Sequence, residues 1–203
     1  TDEINPNVDV LFLCLGHGLS GTFLQENPMN DNTKIIDLSN EFRLQKDQHY
    51  LEKSYVYGLP EYQKQTIQSA QAVANPGCFA TAIQLALLPL ANEGLLQNDI
   101  QVHAITGSTG AGVKPSATSH FSWRNNNVSW YKPFTHQHLG EINETLKALQ
   151  SDAANINFLP IRGNFTRGIF ASAYTTFDGN IDDAFRIYEA YYANHPFTHI
   201  SKK

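Results

Sequence analysis

The most constraining feature of the sequence is an abrupt break at Asn75-Pro76-Gly77, which separates two apolar segments of different periodicity. Before the break, residues 71–74 form a short and largely apolar segment, as in a buried strand. After it, residues 78–91 repeat apolar side chains at the spacing of a helix. Because proline and glycine force a tight turn, we predict that Cys78 lies in the first positions of that helix, and we place a domain boundary at Gly77.

Short apolar segments upstream of the break predict an α/β fold with an open sheet. Residues 8–15 and 34–38 are continuous and partly β-branched or aromatic, as in buried parallel strands. We expect Cys14, within the first segment, to be a small buried hydrophobic residue. Small residues at 16–21 form a turn, and 55–60 is predicted to be another turn region. Strands separated by helical or loop crossovers favour an open α/β sheet.

Downstream of the break the predicted segments are longer. We predict a half-buried strand at 99–106, an extended loop or irregular strands at 107–138, an amphipathic helix at 140–150, a long strand at 165–177, a helix at 181–193 and the start of a further strand at 195–197. A loop as long as the second of these segments is usually functional or disordered.

Composition excludes several classes of partner. The 203 residues carry a formal net charge of −5 and no basic stripe, which argues against nucleic acid. No apolar run approaches the roughly 20 residues that a membrane span requires. Two cysteines without a dense disulfide pattern favour a reducing, cytoplasmic compartment. The glycosylation sequons at Asn127, Asn143 and Asn164 would matter only in a secreted protein.

Cys78 is the strongest candidate for chemistry. The unpaired amides and the dipole at a helix N-terminus stabilise an anion, so they lower the pKa of a thiol there and raise its thiolate fraction. The same amides can stabilise the oxyanion that forms when the thiolate attacks a carbonyl group. The alternative is an ordinary first residue of a helix, and the local sequence favours neither interpretation.

Six sequence segments, considered in their order along the chain, favour the interpretation of Cys78 as a reactive thiol. They are IIDLSNEFRL (35–44), YGLPE (57–61), NPGC (75–78), GSTGAG (107–112), YKPFTHQHLGEI (131–142) and FLPIRGNFTRGI (158–169). This ordered set resembles the motifs of the N-acetyl-γ-glutamyl-phosphate reductase family, which is related to aspartate-semialdehyde dehydrogenase. The likeness runs from residue 8 to about residue 175. It departs from the family pattern at Gly16, Ile161 and Asn164.

The resemblance implies part of a Rossmann-type nucleotide domain joined to an α+β catalytic domain of the glyceraldehyde-3-phosphate dehydrogenase-like kind. Residues 1–77 would be the late part of the NAD(P)-binding domain, without its Gly-rich first turn. Residues 78–203 would form the catalytic, substrate-binding and oligomerisation domain, without its C-terminal end. The chain would then be an internal piece of a cytoplasmic homo-oligomer, a dimer or a tetramer.

The chemistry that the resemblance implies is the NADPH-dependent reduction of an N-acylglutamyl phosphate in arginine or ornithine biosynthesis. Cys78 would attack the acyl phosphate and form a thioester, which hydride from NADPH would reduce to the aldehyde. His136 or His138 would carry the proton, and Glu141 would orient the imidazole. We favour His136 slightly. Although His136, His138 and Glu141 could form a facial metal site, no third His or Cys motif lies nearby, and we predict no metal.

Binding residues are predicted from the same motifs. Arg43, Lys114, Arg162 and Arg167 are candidates for holding a phosphate or carboxylate, and the resemblance favours Arg43 and Arg167. The predicted cofactor-binding residues are His17, Ser20, Asn75, Gly107, Ser108 and Gly110. The glycines of 107–112 follow a strand but precede a poor helix start, so they do not form a dinucleotide fingerprint and are better interpreted as a tight turn.

Two other functions stay open. The chain could be a catalytically silent fragment that keeps the site residues but binds no dinucleotide. It could also be a Cys-His hydrolase, in which Cys78 pairs with His136 or His138 and water replaces hydride.

Overall fold

Two separate sheets organise the chain. The computed structural model describes residues 4–112 and 114–202, and it divides the chain into two compact units, Thr1–Gly77 and Cys78–Lys203. The first unit contains β1 (Val10–Leu13), α1 (Ser20–Glu26), β2 (Lys34–Asp37), β3 (His49–Tyr50), β4 (Lys53–Tyr57), α2 (Pro60–Ser69) and β5 (Ala72–Ala74).

The sheet of the first unit has the strand order β1-β2-β5-β4-β3, and its first four strands in that order are parallel. β3 pairs with β4 in the antiparallel direction. Its core includes Leu13, Ile35, Phe42 and Tyr55, and the rings of Phe42 and Tyr55 stack with centroids 4.1 Å apart. The open parallel sheet confirms the α/β prediction, and the strands predicted near residues 8–15, 34–38 and 71–74 are present.

Two predictions for this unit were wrong, and its helices α1 and α2 were not predicted. Cys14 is exposed, because β1 is an edge strand of the described sheet and ends at Leu13. The predicted turn at 55–60 begins as strand β4, in which Tyr55 and Tyr57 alternate with the less buried Val56. The Gly-Leu-Pro sequence that suggested a turn follows this strand and leads into α2. Helix α1 was missed because seven residues are too few to show a clear helical period.

The second unit contains α3 (Cys78–Asn92), β6 (Ile100–Thr106), α4 (Phe121–Arg124), β7 (Ser129–Trp130), α5 (His138–Leu149), β8 (Ile156–Arg162), β9 (Ile169–Tyr174) and α6 (Ile181–Tyr192). Its sheet has the order β7-β8-β6-β9, with β6 parallel to β8 and the other pairs antiparallel. The core of this unit is formed by α3, α5 and the sheet, including Phe79, Ile83, Val102, Ile142 and Phe158.

Helix α3 contains Pro89, which has no N–H to donate to the carbonyl of Leu85. The hydroxyl of Tyr192 on α6 donates to that carbonyl at 2.6 Å, and the hydroxyl of Tyr188 donates to the carbonyl of Ala86. Burial raises the pKa of Tyr188 to about 12, so this donor keeps its proton. Helix α6 therefore supplies a hydrogen bond that the proline removes from α3.

The predicted helices at 78–91, 140–150 and 181–193 and the strand at 99–106 are present. The long strand predicted at 165–177 was wrong: it begins at Ile169, after a turn in which Gly168 has a φ of 103°. Strand β8 was missed because Pro160 interrupts its sequence pattern. The strand expected at 195–197 is instead a turn, in which the amide of Thr198 donates to the carbonyl of His195. None of the described helices is long and apolar enough to cross a membrane.

Candidate active site

Cys78 is the first residue of α3, and its side chain is exposed. The next residue, Phe79, is only 1% exposed and packs into the core of the second unit. The buried ring fixes the first turn of the helix, while the thiol beside it faces solvent. Because a helix N-terminus favours negative charge, the position suits a thiolate that must meet a dissolved substrate.

Two buried imidazoles lie next to Phe79. The ring of His136 meets Phe79 edge-on at 5.4 Å, and the rings of His136 and His138 are 4.5 Å apart. The backbone amide of His138 donates to Nδ1 of His136 at 3.2 Å. Since Nδ1 accepts a hydrogen bond, the neutral ring carries its proton on Nε2.

The environment of His136 keeps it neutral. The residue is 4% exposed, and burial lowers the pKa of its imidazole to about 4, helped by the charges of Lys132 and Arg162. His138 differs, because Oε1 of the buried Glu141 lies 3.9 Å from its Nε2. The structure therefore places the predicted orienting carboxylate beside His138. Near neutral pH the His136 ring is therefore neutral and carries a single proton, and the slight preference for His136 as proton carrier stays a prediction.

Tyr131 and Arg162 extend the cluster. The guanidinium carbon of Arg162 lies 3.7 Å from the centroid of the Tyr131 ring, a cation–π contact. The same ring is 5.6 Å from that of His136. Burial raises the pKa of Tyr131 to about 12; the charge of Arg162 acts in the opposite direction, and the charge of Cys78 in the same one. The phenol of Tyr131 therefore stays protonated near neutral pH.

Arg124 was missed by the sequence analysis. It ends the short helix α4 and is 6% exposed, and its Nη2 donates to the carbonyl of Gly163, the residue after Arg162. Burial and the charge of Arg162 both lower the pKa of its guanidinium. No local pattern indicates Arg124, because Gly163, whose carbonyl it binds, lies far from it along the chain.

The two arginines that the resemblance favoured lie in different environments. Arg167 is exposed, so its predicted contact with substrate stays a prediction. Arg43 is buried: its Nε donates to the carbonyl of Asn75 at 2.8 Å, and its Nη2 to the carbonyl of Leu38 at 3.3 Å. These carbonyls follow β5 and β2, so Arg43 joins two strand ends. These hydrogen bonds give Arg43 a structural role, and its predicted contact with substrate stays a prediction.

The predicted cofactor-binding residues of the first unit also lie in different environments. His17 and Asn75 are exposed after β1 and β5, at the carboxyl ends of parallel strands, where open α/β sheets bind ligands. Ser20 is completely buried and its hydroxyl donates to Asp37 at 2.6 Å, which argues against the predicted contact with a cofactor. The amides of Ser20 and Gly21 donate to the carboxylate of Glu41 at 2.8 and 3.0 Å.

The turn at Gly107 also differs from its prediction. The amide of Gly107 donates to the carbonyl of Gly168 at 3.0 Å, and the amide of Ser108 to that of Phe165 at 2.9 Å. A Cβ on Gly107 would lie 2.7 Å from backbone atoms of Thr166 and Arg167. The small residue thus permits close approach of the chain's own segment 165–168, so the buried Gly107 is not available to a cofactor. The exposed Ser108 and Gly110 stay predictions.

Comparison with known proteins agrees with this architecture. Residues 78–203 match the family described as semialdehyde dehydrogenase, dimerisation domain, and residues 1–70 match semialdehyde dehydrogenase, NAD binding domain. The chain belongs to the semialdehyde dehydrogenase family. This membership confirms the predicted fold class, a nucleotide-binding domain joined to a mixed α/β domain.

Individual relatives refine the comparison. The chain is 59% identical to N-acetyl-gamma-glutamyl-phosphate reductase of Flavobacterium johnsoniae and 54% identical to that of Christiangramia forsetii; each match covers 99% of this chain and 62% of the relative. The chain therefore spans about 62% of the length of these semialdehyde dehydrogenase relatives. Among solved structures, aspartate semialdehyde dehydrogenase II from Vibrio cholerae matches with a TM-score of 0.67 at 16% identity, covering 91% of this chain and 61% of that one. This last likeness shows the fold alone.

Proposed function

We propose that the chain is the part of an N-acyl-γ-glutamyl-phosphate reductase that carries the nucleophile, Cys78, and that the whole enzyme makes the semialdehyde for arginine or ornithine biosynthesis. One observation carries the proposal. An exposed thiol begins a 15-residue helix, and the buried imidazoles of His136 and His138 pack against the next residue. The relatives named N-acetyl-gamma-glutamyl-phosphate reductase support the choice of substrate.

The first half of the reaction requires a nucleophile and a stabilised leaving group. The thiolate of Cys78 attacks the acyl carbon, the bond from that carbon to the phosphate oxygen breaks, and a thioester and phosphate result. The first-turn amides of α3 point toward the developing oxyanion. Neutral His136 and protonated Tyr131 add hydrogen-bond donors without adding a negative charge that would repel the thiolate.

The second half requires a proton at the acyl oxygen. NADPH, when bound, supplies the hydride to the acyl carbon. We assign the proton to His138, because the Glu141 carboxylate lies 3.9 Å from its Nε2 and can orient the ring. His138 gives the proton to the oxygen as the hemithioacetal forms. It takes the proton back as the carbon–sulfur bond breaks and releases the aldehyde.

The fit of a dinucleotide to the first unit is partial. His17 and Asn75 suit a nucleotide by their position at the carboxyl ends of parallel strands. The N-terminus of α1 does not suit its pyrophosphate, because the Glu41 carboxylate already takes the amides of Ser20 and Gly21. No step above is therefore assigned to α1.

Assembly and location complete the proposal. Because residues 78–203 match a dimerisation domain, we propose that the enzyme is a homodimer or a larger homo-oligomer. Neither Cys14 nor Cys78 forms a disulfide within the described part of the chain, and we propose a reducing, cytoplasmic location.

The acylation half-reaction tests the function and requires no cofactor. The chain is incubated with N-acetyl-γ-glutamyl phosphate without NADPH, and its intact mass and the released phosphate are measured. We expect one acyl group on Cys78 and one equivalent of phosphate, and we expect aldehyde after NADPH is added to the whole enzyme. Cys14→Ser is the matched control, because it removes the other exposed thiol.

Each other result contradicts the proposal in a recognisable way. Continuous release of phosphate without NADPH would identify the Cys-His hydrolase. An acylated protein that NADPH never discharges would identify the silent fragment. An unmodified Cys78 would exclude the nucleophile itself.

The pH dependence of Cys78 alkylation by iodoacetamide tests the activation of the thiol. We expect its titration to lie below the free-thiol value of about 8.5, and His138→Ala to shift it. His103→Ala is the control, since His103 is exposed on β6. A titration like that of a free thiol, unchanged by His136→Ala and His138→Ala, would remove the physical support for an activated cysteine.

A further inference from the structure

Two arginines meet where α4 approaches the end of β8. Nη2 of Arg124 donates to the carbonyl of Gly163, which directly follows Arg162. The guanidinium of Arg162 is partly buried and lies over the ring of Tyr131. Burial and the charge of Arg162 both lower the pKa of the Arg124 guanidinium, because like charges repel each other and the repulsion is stronger where one of them is removed from water.

The guanidinium of Arg124 has hydrogen-bond donors without an acceptor in the described part of the chain. Within residues 4–112 and 114–202, its Nε and Nη1 are buried and have no hydrogen-bond partner. The ion pairs found among these residues include neither Arg124 nor Arg162. A buried cationic donor without a partner is unfavourable, and natural structures normally give such a group an anion or an acceptor. The described residues therefore supply no acceptor for these two donors of Arg124.

The arginine pair lies on the side of the second unit that carries the nucleophile. Arg162 contacts Tyr131, whose ring is 6.5 Å from that of Phe79, the neighbour of Cys78. Both Arg162 and Cys78 act electrostatically on the Tyr131 phenol. An anion held by the pair would thus sit close to the thiol that attacks the acyl carbon.

We propose that Arg124 and Arg162 form a subsite for the phosphoryl group of the acyl phosphate, which rests on the function proposed above. A phosphoryl dianion balances two guanidinium charges, and its oxygens match the forked donors of arginine. A carboxylate would balance only one of these charges. By holding the phosphoryl oxygens, the pair stabilises the charge that phosphate carries as the thioester forms.

Titration of the chain with inorganic phosphate by isothermal calorimetry tests the subsite without any turnover. We expect saturable binding that is about tenfold weaker in Arg162→Gln and in Arg124→Met, as the loss of one arginine–phosphate contact implies. Arg186→Gln is the matched control, since it removes the same charge from an exposed position on α6 and should leave the affinity unchanged. Acetate, the carboxylate probe, should bind at least about tenfold more weakly than phosphate.

Thermal unfolding of each variant is measured alongside the titration. If Arg124→Met fails to fold, the partly exposed Arg162→Gln decides the test. The subsite is refuted if the native chain shows no saturable phosphate binding, if Arg162→Gln binds phosphate as the native chain does, or if acetate binds equally well. Phosphate binding that depends on both arginines, in a chain whose Cys78 is never acylated, would contradict the proposed function and leave the subsite standing. Normal acylation of Cys78, together with phosphate binding that is unchanged in both arginine variants, would refute the subsite and leave the proposed function standing.

Discussion

Helices α1 and α3 each follow a strand of the parallel sheet in the sequence, but their first residues differ. At the start of α1, the carboxylate of Glu41 accepts hydrogen bonds from the amides of Ser20 and Gly21. At the start of α3 stands Cys78, whose thiol is exposed. In the first helix the protein supplies its own permanent anion, whereas in the second the first residue becomes an anion only when its thiol ionises.

The difference shows that a helix N-terminus does not by itself make a ligand site. Both termini offer partial positive charge, but Glu41 neutralises the one at α1 and leaves nothing for a dissolved anion. The terminus of α3 begins with Cys78, the proposed nucleophile, and the rings of Phe79 and His136 are in contact next to it. The side chains around each terminus therefore decide whether the backbone dipole is used for stability or for chemistry.

The largest expected effect is that of replacing Cys78. If the thiol at α3 is the nucleophile, Cys78→Ser should slow acylation by on the order of a thousandfold or more, because a serine hydroxyl is not ionised at neutral pH. Cys14→Ser, which changes an exposed thiol after β1, should leave the rate unchanged. Acylation followed by mass spectrometry measures both, and equal losses in the two variants would contradict the distinction between them.

The next effect concerns the buried imidazole behind α3. The pKa of His136 is about 4 in the folded protein, below the value of about 6.5 expected when unfolded. Between these values the unfolded chain binds more protons, so the stabilisation is complete above about pH 6.5 and is lost as the pH falls toward 4. The loss in free energy of unfolding should reach roughly 3 kcal/mol.

Denaturant titrations at several pH values measure this dependence. His136→Gln should flatten the slope between pH 6.5 and 4, whereas His103→Gln, at an exposed position, should not. An unchanged slope in His136→Gln would show that another group causes the acid sensitivity.

A smaller effect is expected at the start of α1. Glu41→Ala removes the acceptor of two helix amides and should lower the free energy of unfolding by about 1–2 kcal/mol. Glu26→Ala changes an exposed carboxylate at the other end of the same helix and should stay within about 0.5 kcal/mol. If thermal denaturation gives equal effects for the two, the internal anion at α1 does not have the role described here.

The smallest expected effect concerns the hydrogen bond from α6 that replaces the one removed from α3 by Pro89. Tyr192→Phe removes the hydroxyl that donates to the Leu85 carbonyl, and it should cost about 1 kcal/mol. In a Pro89→Ala background the new amide can serve the same carbonyl, so the cost should shrink. This double-mutant cycle isolates the interaction, and Tyr174→Phe, at an exposed position, is the control. A cost that is the same in both backgrounds would exclude this replacement.

Local periodicity was enough to predict much of the fold. The helix at 78–91 and the alternating strand at 99–106 were predicted because their patterns are uninterrupted. Strand β8 was missed because Pro160 masks its pattern, although the carbonyl of Pro160 still accepts a hydrogen bond from the amide of Tyr131. Cys14 was wrongly predicted to be buried, because a sequence does not show that its strand lies at the edge of the described sheet.

The sequence by itself determined the boundary between the two units at Gly77 and the start of a helix at Cys78. It also determined that His136, His138 and Glu141 lie close together. These features depend on neighbouring residues, whose geometry the backbone fixes. Only the tertiary structure decided that Arg43 binds the Asn75 carbonyl, that His136 is desolvated, and that Arg124 lies against the end of β8. Burial and contacts between residues that are distant in the sequence determine these charges and hydrogen bonds. A local sequence pattern does not show either of them.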